Sequence, residues 1–307
     1  MHDQGLYFFN LLLYRAFVHG SPNPSGRCTA IRFNEALLRK FAGKFNPGSV
    51  EGLLYFQFPS LSRRTPILHW VFTRQGGVSK PPYDTLNTGY NTGDSPGNVE
   101  TNLRIIKKAV QSRRLIFMNQ VHGSDIVSLR QVNHPDLHSV FHADAVITDI
   151  PNIAILVKQA DCQGVILADT AKRVISLVHC GWRGNVHNIL GTVVERMKSE
   201  FGCDVSNMRA AVGPSLGPCC AEFITYREIF PRHFHVFMLG KAHFDLWGLS
   251  RHQLLNAGLN NDSIEVAGVC TRCNTDLFYS YRAERTTGRF ATVAMLRENG
   301  DSAHALP

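Results

Sequence analysis

Three short runs constrain this chain more than any other feature: Ala145–Thr148, residues 153–157 (Ile-Ala-Ile-Leu-Val) and residues 174–178 (Val-Ile-Ser-Leu-Val). Each is almost wholly apolar and rich in β-branched residues. A strand with one wet face alternates apolar and polar positions. Runs that lack this alternation read as strands buried on both faces. A sheet buried on both faces needs covering layers, so the chain is read as an α/β protein. Helical spacing supplies those layers. Ile189, Val193, Val194 and Met197 share one side of a helix expected at Ile189–Phe201, and a second helix fits 246–257. Asn98 is read as the cap of a third, through Asn102, Ile105, Ile106 and Val110. Further strands are expected at 209–212, 264–269 and Phe290–Leu296. No linker or repeat interrupts 53–300, which implies one domain.

The 44% hydrophobic and 18% charged composition supports a sizeable core and excludes a disordered chain. The net charge of +8 is spread thinly, with no Lys/Arg run longer than two. Nucleic-acid binding needs such charge gathered on one face, so no nucleic-acid partner is expected. Half of the excess lies in residues 1–50, where Arg15, Arg27, Arg32, Arg39, Lys40 and Lys44 face only Asp3 and Glu35. The apolar run at 6–18 is broken by Asn10 and Arg15 and has no basic residue before it, unlike a signal peptide. It is also too short to span a bilayer. A cytoplasmic protein without a membrane partner is expected. The eight cysteines are too sparse for a disulfide scaffold and read as thiols, mostly buried, with one or two as ligands or nucleophiles.

Three segments place a metal-capable side chain beside a turn at a strand end. They are Asn119-Gln120-Val121-His122-Gly123, Gln159-Ala160-Asp161-Cys162 and His179-Cys180-Gly181-Trp182-Arg183-Gly184. Loops at strand ends commonly carry function because a rigid sheet positions them. Two imidazoles and a thiolate, from His122, His179 and Cys162, suit zinc, and three protein ligands leave a catalytic position open. The spacing matches no compact zinc signature, so hydrogen-bonded structural histidines and a core thiol are the competing reading. Asp161 is the nearest carboxylate in sequence. Neighbours in an extended segment point opposite ways, so Asp161 either serves the metal as a proton carrier or holds a backbone turn. Cys219-Cys220 and Cys270-Thr271-Arg272-Cys273 offer four further thiols. Adjacent cysteines suit one tetrahedral metal poorly, so buried thiols are expected there. One His-x-His pair, at His233 and His235, is too few for multicopper oxidation, and copper is discounted.

Several ordered motifs across residues 53–298 resemble the laccase-domain, or YfiH-like, family, also labelled multicopper polyphenol oxidase. They include Phe72-Thr73-Arg74-Gln75-Gly76-Gly77-Val78-Ser79, Leu86-Asn87, the three segments above, Gly213-Pro214-Ser215, Phe278-Tyr279-Ser280-Tyr281-Arg282 and Gly288-Arg289. The resemblance implies a layered sandwich with mixed central sheets between helices, like the catalytic domain of cytotoxic necrotizing factor. It implies zinc on His122, Cys162 and His179. The implied activity is phosphorolysis of adenosine, inosine, guanosine and methylthioadenosine, with deamination of adenosine. Purine nucleosides and phosphate are then the partners. Arg74, Arg183 and Arg282 become candidates for phosphate or ribose, since an arginine fork donates two parallel hydrogen bonds. Asn87 and Gln120 join them as substrate-binding candidates. Any deaminase would need its own architecture, because the His-x-Glu and Pro-Cys-x-x-Cys pair of the familiar zinc deaminases is missing. The alternative is a metal-independent cysteine hydrolase using Cys162 and His179. The resemblance also places residues 1–50 outside the family pattern, as an extension translated from an upstream start codon, and residues 51–307 in the functional domain.

Overall fold

All three constraining runs form strands, in two different sheets. The computed structural model describes residues 45–62, 65–130 and 141–298, which lie within one unit, Phe41–Pro307. In chain order come β1 (Asn46–Val50), β2 (Leu53–Gln57), β3 (Ile67–Phe72), helix α1 (Pro96–Ala109), β4 (Arg114–Phe117) and β5 (Ile126–Leu129). Next are β6 (Ala145–Thr148), β7 (Ile153–Gln159), β8 (Gln163–Asp169), β9 (Val174–Cys180), α2 (Trp182–Val186) and α3 (Ile189–Phe201). The order closes with β10 (Met208–Val212), the short pair β11 (Met238–Leu239) and β12 (His243–Phe244), α4 (Leu246–Asn256), β13 (Ile264–Val266) and β14 (Phe290–Leu296).

The first six-stranded sheet runs β1-β2-β3-β14-β7-β4, and the second runs β13-β10-β8-β9-β6-β5. Both are mixed: β4 pairs β7, β5 pairs β6 and β10 pairs β13 in parallel, and the remaining pairs are antiparallel. Trp70, Phe72, Leu156 and Val293 of the first sheet pack on Val99, Leu103 and Ile106 of α1. Val165, Leu167 and Val178 of the second pack on Ile189, Val193 and Met197 of α3 and on Leu254 of α4. The opposite faces are buried as well, through Val71, Ile155 and Val157 on one sheet and Val146, Ile166 and Leu177 on the other. There β7 and β14 meet β9. Helix, sheet, sheet and helix therefore stack as four layers. Period-2 alternation is lost because both faces of each central strand are covered, and each such side chain contributes about 1.5–3 kcal/mol of burial.

The structure corrects several boundaries. Helix α1 begins at Pro96, so Asn98 lies inside it rather than capping it. The Asp94 carboxylate accepts from Ser95 N and Asn98 Nδ2 there, and proline suits the first helical turn. Strand β13 stops at Val266, three residues short of expectation. Strand β8 was not anticipated, because its start, Gln163-Gly164, continues a polar turn-like stretch; every residue of it is nevertheless buried. Residues 45–50 belong to the fold and not to an extension. Phe45 is buried and stacks on Phe56 at 4.8 Å, and β1 pairs with β2 along its whole length. The rest of the expected extension, including the apolar run at 6–18, lies outside the described residues. Among those residues no helix is long and apolar enough to cross a membrane.

Candidate metal centre

The chain passes from the first sheet to the second between β4 and β5 and again between β7 and β8. His122 lies in the first passage and Cys162 in the second, while His179 is the penultimate residue of β9. Pairing of β8 with β9 sets Gln163 opposite Cys180, which brings Cys162 alongside Gly181 just beyond the ladder. The ligand-capable atoms of His122, Cys162 and His179 all lie within 4.8 Å of one another. The two imidazoles meet edge to face, with centroids 4.8 Å apart. His122 is exposed, Cys162 half-buried and His179 buried, so the cluster opens on one side. A Cβ on Gly181 would stand 3.0 Å from Cys162 Sγ and 3.7 Å from His122 Cδ2. Glycine there keeps clear the space that the three donors face.

Asp144, fully buried immediately before β6, organises this cluster. Its Oδ1 lies 2.8 Å from His179 Nδ1, which directs Nε2 of that ring to the cluster. The same carboxylate accepts from His122 N at 3.0 Å and from Gly123 N at 2.6 Å. His122 holds a left-handed φ of 58°, an uncommon conformation for a residue with a side chain, and these amide bonds secure it. Burial raises the Asp144 pKa, but the hydrogen bonds from His179, Gly123 and His122 outweigh it and the net direction is down. Burial also pushes the Cys162 thiol up, yet the His179 charge and hydrogen bonds from both histidines bring it down to about 6. Burial lowers His179, but the charge on Cys162 and the bond to Asp144 lift it to about 9. Without a metal the pair is thus thiolate and imidazolium. Carboxylate, histidine and soft donor in series are what a zinc site uses, the carboxylate fixing the tautomer. Donor chemistry, the Asp144 bond and the space at Gly181 all fit a bound zinc.

The other expected site residues are placed differently. Asp161, at a left-handed φ of 87°, accepts Thr271 Oγ1 and Ser280 Oγ on Oδ1, each at 2.7 Å, and Arg282 N on Oδ2 at 2.6 Å. Its carboxylate holds the returning segment between β13 and β14, the second of the two roles expected for it. Arg74 is buried: it donates to Asp84 O, Thr275 O and Glu284, and lies over the Tyr279 ring at 4.4 Å. Asn87 is fully buried among Gly89, Thr92 and Asp94, and its Oδ1 accepts from Arg289 N. Gln120 exchanges two hydrogen bonds with the backbone of Lys158. Arg282 donates from Nη1 alone to Cys220 O and Glu222 O, and no hydrogen bond is formed by its Nε or Nη2 among the described residues. Arg74, Asn87 and Gln120 are thus engaged with internal partners, whereas Arg282 keeps donors to spare. Arg183 is exposed and its guanidinium is stacked on Trp182 at 4.4 Å, with no hydrogen bond from the guanidinium among the described residues, so it keeps its side-chain donors.

Two cations that sequence reading missed are braced by Asn87 and Gln120. Burial lowers the Arg289 pKa, while the nearby charges of Cys162 and Asp161 favour its charged form. Its Nη1 donates to Thr287 O and Gly288 O, and no hydrogen bond is formed by its Nε or Nη2 among the described residues. Lys158 sits over the Phe117 ring at 4.8 Å, and burial together with the charge of Arg289 brings it down to about 8. The available signal was a lysine interrupting the apolar run of β7. Both side chains are half-buried, so part of each charge's hydration is lost. The expected buried thiols also need correction. Cys219 and Cys273 are exposed, and the four sulfurs of Cys219, Cys220, Cys270 and Cys273 lie within 4.8 Å of one another.

Comparison with known proteins agrees with this architecture. The chain is 33% identical over 234 residues to the purine nucleoside phosphorylase YfiH of Shigella flexneri, covering 73% of this chain and 91% of that one. It is 35% identical over 238 residues to the purine nucleoside phosphorylase SCO2081 of Streptomyces coelicolor, covering 74% and 95%. The crystal structure of YlmD from Geobacillus stearothermophilus superimposes with a TM-score of 0.73 at 28% identity, covering 83% of this chain and 99% of that one. A family model described as multi-copper polyphenol oxidoreductase laccase matches residues 68–297. That match takes in both sheets apart from β1 and β2, and all three clustered donors, so the chain belongs to the multi-copper polyphenol oxidoreductase laccase family.

Proposed function

We propose that this protein is a zinc-dependent purine nucleoside phosphorylase acting on adenosine, inosine, guanosine and methylthioadenosine, with adenosine deaminase activity. The observation that carries the reading is the convergence of His122, Cys162 and His179 on one Asp144-ordered cluster. When bound, zinc supplies Lewis-acid polarisation and a template for oxygen ligands. Phosphorolysis joins a phosphate oxygen to the ribose anomeric carbon while the bond to the purine breaks, its electron pair leaving with the base. Arg289 and Lys158 place positive charge next to the cluster and would hold the phosphate against repulsion from Cys162. Asn87 and Gln120 fix the backbone of those two cations. Arg183, whose guanidinium is stacked but forms no hydrogen bond among the described residues, would close on the substrate from the exposed side. Asp161 orders the segment bearing Arg282. A multicopper oxidation would need several copper centres, whereas only one histidine-containing cluster is found among the described residues.

The decisive experiment incubates zinc-loaded protein with each nucleoside, with and without phosphate, and measures released base and sugar phosphate by chromatography. Phosphate-dependent release that is lost in Cys162→Ala is expected. Absence of base release from every nucleoside overturns the reading. A second reading, a metal-independent cysteine hydrolase, is favoured by one observation: the Cys162 thiolate and His179 imidazolium backed by Asp144 form a nucleophile, base and orienting group. Such an enzyme keeps its activity under a chelator and loses it to an alkylating agent.

A further inference from the structure

Outside the centre just described, the described residues hold one other gathering of metal-capable side chains. Cys219 and Cys220 lie on the segment after β10, and Cys270 and Cys273 on the segment after β13. Backbone bonds join the two segments: Ser215 N donates to Val269 O at 3.1 Å and Thr271 N to Ser215 O at 3.0 Å. With the backbones so fixed, all four sulfurs point to one spot and lie within 4.8 Å of one another. Cys273 Sγ is 3.5 Å from Cys220 Sγ and 3.7 Å from Cys219 Sγ. Disulfide sulfurs stand about 2.0 Å apart. Sulfurs around a tetrahedral zinc, at about 2.3 Å from the metal, are separated by about 3.8 Å. These two spacings match the edge of that tetrahedron, and the remaining pairs lie within 4.8 Å. Core packing does not account for the cluster either, since Cys219 and Cys273 are exposed.

We propose that Cys219, Cys220, Cys270 and Cys273 form a second, structural zinc site with four thiolate ligands. The cluster staples the segments that brace the first centre. Thr271 donates to the Asp161 carboxylate, Leu216 N donates to Asp161 O at 2.9 Å, and Cys220 O accepts from Arg282. Closed four-thiolate zinc sites contribute folding free energy directly and leave no position for substrate. The proposal is independent of the reaction assigned to His122, Cys162 and His179.

The test uses the full chain in reducing buffer, loaded with zinc alone and then gel-filtered. Two zinc ions per chain are expected in the parent protein and one in either Cys162→Ala or His122→Ala, which damage only the first centre. X-ray absorption at the zinc edge of these variants should show an all-sulfur shell at about 2.3 Å. Their melting temperature should fall when the remaining zinc is stripped. The Cys219→Ser/Cys273→Ser double variant should lose the second ion; if it fails to fold, the two first-centre variants still decide the matter. Metal-free Cys162→Ala and His122→Ala proteins, a nitrogen-containing shell in them, iron in place of zinc, or disulfides among the four cysteines by mass spectrometry would each overturn the proposal.

Discussion

Asp144 sets the chemistry of the candidate centre at the scale of single residues, although nothing in the sequence singled it out. Asp144→Asn keeps the shape but removes the charge that fixes the His179 tautomer. Zinc affinity at the first centre should fall by about 10- to 100-fold, read by competition with a coloured chelator in a protein whose second cysteine cluster is blocked. In metal-free protein the Cys162 thiolate is half-formed near pH 6. Iodoacetamide modification of Cys162 should therefore rise through pH 6 and level off by about pH 8, well below the ordinary thiol midpoint of about 8.5. Gly181→Ala should hinder zinc uptake with little loss of fold, because the added carbon meets Cys162 Sγ at 3.0 Å. His122, Cys162 and His179 were legible in sequence because each ends or follows a run with a turn-forming neighbour. Lys158 was marked only by a lysine in the otherwise apolar β7, and nothing local marked Arg289, since a cation facing a site looks in sequence like one facing water.

Elements show how polar groups are satisfied where two layers meet. Asn102 projects from the buried face of α1, accepts from Val78 N, and donates to Ser79 Oγ, Thr85 O and Asn87 O. Asn102→Ala leaves those buried groups unpaired and should cost about 3 kcal/mol, measured by urea denaturation. Strand β3 carries His69, fully buried, whose Nε2 accepts from Phe58 N at 2.7 Å. Burial lowers its pKa to about 3. The unfolded chain takes up that proton near pH 6.5 and the folded chain only near 3, so acidification favours unfolding across this window. Stability from this residue is complete above about pH 6.5 and should fall by about 2 kcal/mol by pH 5. His69→Gln, which does not titrate, should flatten that part of the pH profile of urea denaturation. Helix α3 and strands β6 and β14 match their sequence-based bounds because one residue class occupies each buried face. Strand β8 escaped notice because its first two residues resemble the turn before it.

For the whole molecule, the two sheets share a buried interface and the chain crosses between them near the candidate centre. Deletions should reveal where the fold starts. A chain beginning at Lys44 is expected to melt like the full protein, whereas one beginning at Glu51 loses β1 and the Phe45–Phe56 stack and should melt several degrees lower by calorimetry. The sequence by itself determined the α/β class, most central strands, the covering helices and the three metal-capable residues of the candidate centre. These follow from local pattern: apolar runs bury both faces, and residue type limits ligand chemistry. Tertiary structure alone decided that passages from separate crossings meet within 4.8 Å, that Asp144 stands behind them, and that four distant cysteines converge. It also showed that Arg74, Asn87 and Gln120 engage internal partners. Such meetings depend on strand order and register across two sheets, which hydrogen bonds between distant segments set and no short window of sequence encodes.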